Sequence, residues 1–256
     1  MAAQGTDTRM DRPGRTVNTT DKQVRSQTGE RTGTGWGWPV LATVGLGGFA
    51  LITWLVATKT VIPFDQPLFD AASTLSQYMV AWRDLSESAN IPLIVIGVAI
   101  VAFLLFTRQR AEAVLVIGVL AAITAGSEAV KLLVARPRPP AFTNDAAGVV
   151  YSYPSGHVLE AVAIYGIIAV LLWRSSLPTV VRVVIPILFS VLIAFVAVAR
   201  VAVGAHYPSD VLAGFLAGIG FLALFAILTG VIARRRAASA AASSSGANAQ
   251  QASTTS

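Results

Sequence analysis

Six stretches of the chain are almost wholly apolar, at about residues 39–58, 91–106, 113–134, 158–173, 180–199 and 211–233, and short polar segments separate most of them. A helix needs about 20 residues to cross the hydrocarbon core of a bilayer. The pattern therefore predicts an all-α, polytopic bundle of six transmembrane helices. The second and fourth runs are short and extend a turn into their polar flanks. Residues 59–90 are too polar to span. There, Phe64, Leu68, Phe69, Leu75, Tyr78, Met79 and Trp82 alternate with Asp65, Asp70, Arg83, Asp84 and Glu87, as expected of a short amphipathic helix lying at the interface or packed on the bundle.

The ends differ from this core. Residues 1–35 are rich in Thr, Gly, Asp, Arg and Gln and show no hydrophobic period, so they read as a disordered tail. No apolar core follows a short basic start, and the first span is expected to act as the insertion signal. Trp36 and Trp38 sit where aromatic side chains meet headgroups. Residues 234–256 are three arginines followed by a low-complexity Ala/Ser/Gly/Asn/Gln/Thr tail, also read as disordered. The organisation expected is thus a tail (1–35), a six-span domain (36–233) and a second tail (234–256).

Composition agrees. Of 256 residues, 54% are hydrophobic and 12% charged, and the mean hydropathy is +0.66, outside the range of ordinary soluble domains. The net charge of +6 does not imply nucleic acid, because the basic residues lie scattered in loops and tails. There is no cysteine, which excludes disulfides, thiolate metal sites and a cysteine nucleophile. With six spans both tails share one side. That side, with the second and fourth loops, carries thirteen Lys and Arg against six opposite. The positive-inside rule then puts both termini in the cytoplasm and turns the first, third and fifth loops outward. Lysine is scarce, at three of nineteen basic residues, as in GC-rich bacterial genomes.

Those outward loops hold the unusual polar residues. Between the last two runs lies Arg200-Val-Ala-Val-Gly-Ala-His206-Tyr-Pro-Ser-Asp210. Pro208 suits the first position of a helix, and Asp210 then falls in the dipole-favoured first turn, within reach of His206. The third run ends at Lys131, Arg136, Arg138 and Pro139, and Tyr153-Pro-Ser-Gly-His157 leads into the fourth. Charged side chains at membrane depth are costly, about 2.5–3.5 kcal/mol each even on lenient scales, so clusters that converge on one face mark a site.

In these residues the chain resembles the type 2 phosphatidic acid phosphatase (PAP2) superfamily, whose motifs are Lys-x6-Arg-Pro, Pro-Ser-Gly-His and Ser-Arg-x5-His-x3-Asp. Lys131, Arg138 and Pro139 fit the first, Pro154 to His157 the second, and Arg200, His206 and Asp210 the third, with Ala199 in place of the serine. The resemblance spans about residues 36–233 and implies a PAP2/haloperoxidase-like core. It implies that His206 is the nucleophile, forming a phosphohistidine, that Asp210 holds its ring in the right tautomer, and that His157 is general acid and then base. Lys131, Arg138 and Arg200 would bind the phosphoryl oxygens, with Ser155 and Gly156 offering a helix N-terminus. No metal and no cofactor are expected.

The expected activity is hydrolysis of a lipid phosphate or pyrophosphate of the polyprenyl pyrophosphate, phosphatidic acid or phosphatidylglycerophosphate class, at the outer face of the plasma membrane. A lipid phosphotransferase working through the same intermediate is the alternative enzyme, and a non-catalytic lipid-binding or transport protein the alternative of another class. The partners expected are the lipid substrate and the bilayer, and no protein partner is indicated. Glu128 and Glu160 each lie three residues from a motif residue and read as ties between helices or as tuning groups. Arg136, outside the motif pattern, reads as interfacial.

Overall fold

The computed structural model describes residues 37–78, 90–140 and 151–254. Among these residues the regular structure is helical. Seven α-helices follow in order: α1 (Gly37–Ala57), α2 (Asp65–Ser73), α3 (Asn90–Phe106), α4 (Arg110–Val134), α5 (Gly156–Arg174), α6 (Thr179–Ala202) and α7 (Pro208–Thr254). Five of them, α1, α4, α5, α6 and α7, are long and apolar enough to cross a membrane. The expected second span is α3, at 17 residues shorter than the others. The multi-pass, all-helical architecture read from the apolar runs is thus present, with five full-length helices in place of six.

Small residues decide which helices sit at the centre. Lipid is as apolar as a leucine side chain, so helices in a bilayer associate by close packing more than by burial. On α7, a methyl added to Gly214 would stand 2.5 Å from the Ser155 carbonyl oxygen, and one on Gly218 would stand 2.7 Å from Val162 Cβ, so this face lies directly on α5. Gly220 turns another face to α1, where a methyl on Gly45 would meet the Gly220 nitrogen at 2.6 Å. The gaps that remain are filled by Leu104, Val116, Ile123, Leu159, Ile167 and Phe225, a core shared by α3, α4, α5 and α7. In contrast, α6 turns Val184, Ile187, Leu188 and Val191 outward.

Two expectations change here. The segment after the first span does contain an amphipathic helix, but only α2, followed by a 3-10 turn at Ser76–Tyr78. Met79, Trp82, Arg83, Asp84 and Glu87 lie outside the described residues, as does the 1–35 tail. The C-terminal tail was expected to be disordered, yet α7 continues through it to Thr254. Its alanines explain this, since alanine has the highest intrinsic helix propensity. At 1.5 Å per residue the 47 residues of α7 extend about 70 Å, more than twice the ~30 Å hydrocarbon core. Arg234–Arg236 mark the stretch where it becomes polar. There Arg236 grips both oxygens of Glu112 on α4, at 2.7 and 3.0 Å.

Candidate active site

The polar clusters gather where α4 ends and α5 and α7 begin. Ala135 closes α4 in the left-handed conformation, φ 48°, with its N–H on the Lys131 carbonyl. The chain thereby reverses, and the following Arg-Pro-Arg-Pro stretch runs beside the segment leading into α5. There Ser152 N–H donates to the Arg136 carbonyl at 2.9 Å, and Pro137 pairs with Tyr151 as an isolated antiparallel bridge. Tyr153, fully buried, anchors the loop to α1 by stacking on Phe49 and sharing a 2.8 Å hydrogen bond with Thr53. Burial raises its phenol well above the ordinary value, so it stays neutral.

The structure brings the three motifs together. Ser155 N–H donates to the Asp210 carbonyl at 3.0 Å, joining the second to the third. Arg138 Nη1 donates to the Ala205 carbonyl at 2.8 Å, joining the first to the third. A methyl on Gly156 would stand 3.8 Å from Lys131 Nζ, which brings the first against the second. Arg200 is buried in the last turn of α6, and its carbonyl accepts the His206 N–H at 3.2 Å. His157 lies in the first turn of α5 and is half-buried. Pro208 opens α7 as expected, leaving His206 just before the helix and Asp210 in its first turn.

His206 and Asp210 are buried. His206 Nδ1 lies 2.7 Å from the Ser152 carbonyl oxygen. A carbonyl only accepts, so Nδ1 carries the proton and Nε2 keeps its lone pair. Asp210 Oδ2 is 3.7 Å from the same nitrogen, too far for a good hydrogen bond but near enough to favour positive charge on the ring. The tautomer-setting role that the resemblance gives to Asp210 thus falls, in this geometry, to the Ser152 carbonyl. Burial lowers the His206 pKa to about 4, with the positive charges of Arg200 and Arg138 adding to the effect and Asp210 opposing it.

Asp210 has other partners, and these include residues that sequence reasoning passed over. Its Oδ2 accepts the Tyr207 N–H at 2.9 Å, and its Oδ1 accepts from Arg136 Nη1 at 2.6 Å. Arg136 also donates to Ser209 Oγ at 2.7 Å and to Asp65 Oδ2 at 2.8 Å, while its guanidinium lies 4.1 Å over the Tyr207 ring. Asp65, at the start of α2, accepts in turn from Ser209 N–H at 2.8 Å and Ser209 Oγ at 2.7 Å. Arg136 is therefore not simply an interfacial residue but the centre of a largely buried network. Burial alone would depress its pKa, but the two carboxylates more than offset that and raise it. The sequence held one signal of this: a second arginine among prolines, two residues before the motif arginine Arg138. Of the two glutamates weighed from sequence, Glu128 pairs with Lys131 at 2.6 Å and is itself exposed. Glu160, one turn below His157, is half-buried.

Comparison with known proteins fits this arrangement. The model of the PAP2 superfamily matches residues 112–233. Phosphatidylglycerophosphatase B of Bacillus subtilis is 29% identical over 194 residues, covering 71% of this chain and 90% of that protein. Undecaprenyl-diphosphatase of Sulfolobus acidocaldarius is 35% identical over 137 residues, covering 50% of this chain and 62% of that protein. The crystal structure of a transmembrane PAP2-type phosphatidylglycerolphosphate phosphatase from Bacillus subtilis shares the fold, with a TM-score of 0.57 at 24% identity over 74% of this chain and 98% of that one. Residues 112–233 thus match the PAP2 superfamily in sequence, within a multi-pass, all-helical membrane protein that shares the fold of the Bacillus subtilis phosphatase.

Proposed function

We propose that this chain hydrolyses a lipid phosphate or pyrophosphate through a phosphohistidine on His206. The observation that carries this reading is the 2.7 Å contact between His206 Nδ1 and the Ser152 carbonyl, which leaves Nε2 as the basic nitrogen of a neutral, buried ring. Nε2 attacks phosphorus, the bond to the lipid oxygen breaks, and His157 gives that oxygen its proton. His157 then takes a proton from water, which attacks phosphorus, breaks the P–N bond and releases phosphate. Lys131, Arg138 and Arg200 neutralise the phosphoryl oxygens, and Asp210 stabilises the charge that develops on the imidazole.

The names of the two relatives, one acting on phosphatidylglycerophosphate and one on undecaprenyl diphosphate, support a lipid substrate that carries a terminal phosphate. In this reading α3 completes a set of six spans, both termini are cytoplasmic, and the site opens at the outer face, as the distribution of Lys and Arg favours. Among the described residues no group of three or more His, Cys, Asp and Glu side chains is placed to hold a metal ion. Fixed cations do that work in the proposal. The test uses detergent-purified protein with EDTA and a lipid substrate labelled on its terminal phosphate. The expected result is an acid-labile, base-stable labelled protein and released phosphate, both lost in His206→Ala. A His206→Ala protein that still turns over sinks the mechanism.

A further inference from the structure

Hydroxyls on the apolar helices of this protein have a regular habit. Thr53, Thr107, Ser190 and Thr229 each donate to the carbonyl four residues back, at 2.7–2.9 Å, which satisfies the hydroxyl proton within the chain's own turn. Ser127 on α4 departs from it. The residue is 6% exposed, and its Oγ has no hydrogen-bond partner among the described residues. A methyl on Gly156, the first residue of α5, would stand 3.7 Å from that oxygen and 3.8 Å from Lys131 Nζ. Ser127 and Lys131, one turn apart on α4, therefore converge on the N-terminus of α5.

A second hydroxyl there is likewise unused. Ser155 stands at the N-cap of α5 but makes no side-chain cap bond, and its fully buried Oγ is without a partner among the described residues. An N-cap serine ordinarily satisfies a backbone N–H of the first turn. Here Ser127 and Lys131 lie beside the first-turn N–H groups and the positive end of the helix dipole, the N-cap residue itself carries a second unpartnered hydroxyl, and a buried hydroxyl left unpaired costs about 1–3 kcal/mol.

Resting on the lipid phosphatase reading, we propose that Ser127 is a further phosphate-binding residue, its hydroxyl donating to an oxygen of the substrate phosphate seated between α4 and the start of α5. No motif names this position. The phosphate oxygens supply the acceptors that the two hydroxyls lack, so the free protein holds an incompletely satisfied seat that substrate completes.

The test measures binding of inorganic orthophosphate to wild type, Ser127→Ala and Ser127→Thr in detergent micelles, by anion-induced thermal shift and by competition with a lipid phosphate substrate. Ser127→Ala is expected to bind orthophosphate about tenfold more weakly, the loss of one charge-assisted hydrogen bond, while melting without anion at or above the wild-type temperature. Ser127→Thr keeps the hydroxyl and should stay within about threefold of wild type. Saturable binding by wild type with equal affinity in Ser127→Ala overturns the assignment of Ser127 and leaves the enzyme reading standing. A wild-type protein that binds no orthophosphate overturns both.

Discussion

Arg136 and Asp210, 74 residues apart in sequence, meet through a 2.6 Å charge-assisted hydrogen bond inside the protein, beside the proposed nucleophile. The carboxylate is fully buried, and the arginine side chain is 18% exposed. Removing one member of such a pair leaves the other charged and buried, typically at a cost of 3–5 kcal/mol. Arg136→Ala is thus expected to lower the unfolding temperature in detergent by many degrees and to reduce kcat at least tenfold. Arg136→Lys should recover only part of either, because one ammonium does not reproduce the fork that reaches Asp210, Ser209 and Asp65 together. An Arg136→Ala protein with wild-type stability would show that the network is dispensable.

The proton on His206 can be followed directly, because the chain has only two histidines. A His157→Ala protein with isotope-labelled histidine should show one ring, in the Nδ1–H tautomer at neutral pH, that stays neutral until the pH nears about 4. Since the folded value lies below the ordinary ~6.5, the unfolded chain binds the proton first. The sign for stability follows: this group's contribution is complete above about pH 6.5, declines as the pH falls from there to about 4, and changes no further below. A titration of the ring at 6.5, or an Nε2–H tautomer, would contradict the geometry.

Close packing of α1 on α7 separates two neighbouring glycines. A methyl on Gly45 would meet backbone atoms of α7 at 2.6–2.9 Å, whereas one on Gly47 meets nothing within 4 Å. Gly45→Ala should therefore destabilise by about 1–3 kcal/mol as the helices are forced apart. Gly47→Ala should be neutral or stabilise by up to about 1 kcal/mol through helix propensity. Thermal unfolding of the two variants side by side reads the difference, and equal melting would refute the crossing.

Beyond Arg236 the last helix gives exposed residues up to Ser243. Deleting residues 244–256 is expected to leave lipid phosphate turnover and melting temperature within about twofold and a few degrees of wild type, since the exposed stretch that precedes them gives the tail no anchor on the bundle up to Ser243. A larger loss, measured on the purified truncation, would assign the tail a contact with the bundle.

Much of this arrangement was legible in the sequence because it is written locally. Apolar runs report spans through their length alone, and Pro208 followed by Asp210 announces a helix start. Lys131, Arg138, Ser155, His157, Arg200 and His206 stand at spacings that recur as a set. What was not legible depends on pairs distant along the chain. Asp65 reaches Ser209 across 144 positions and Arg136 across 71, and neither contact leaves a periodic trace. The hydrogen bond from His206 to Ser152 involves a backbone carbonyl, a group every residue carries, so residue identity gives no sign of it. The tail misled for the opposite reason: its low complexity suggested disorder, while its alanine content favours a helix.

The carboxylate of Asp65 sets a lower bound on what can be excised from this chain. The family match begins at residue 112, so a minimal fragment cut to that boundary would appear complete by motif content. It would nevertheless lack the acceptor for Ser209 N–H and Oγ and one of the two counter-charges of Arg136. The unit that holds the Arg136–Asp210 network, as distinct from the recognisable one, starts at or before Asp65 in α2, and grafting or shortening the scaffold has to carry that helix along with it.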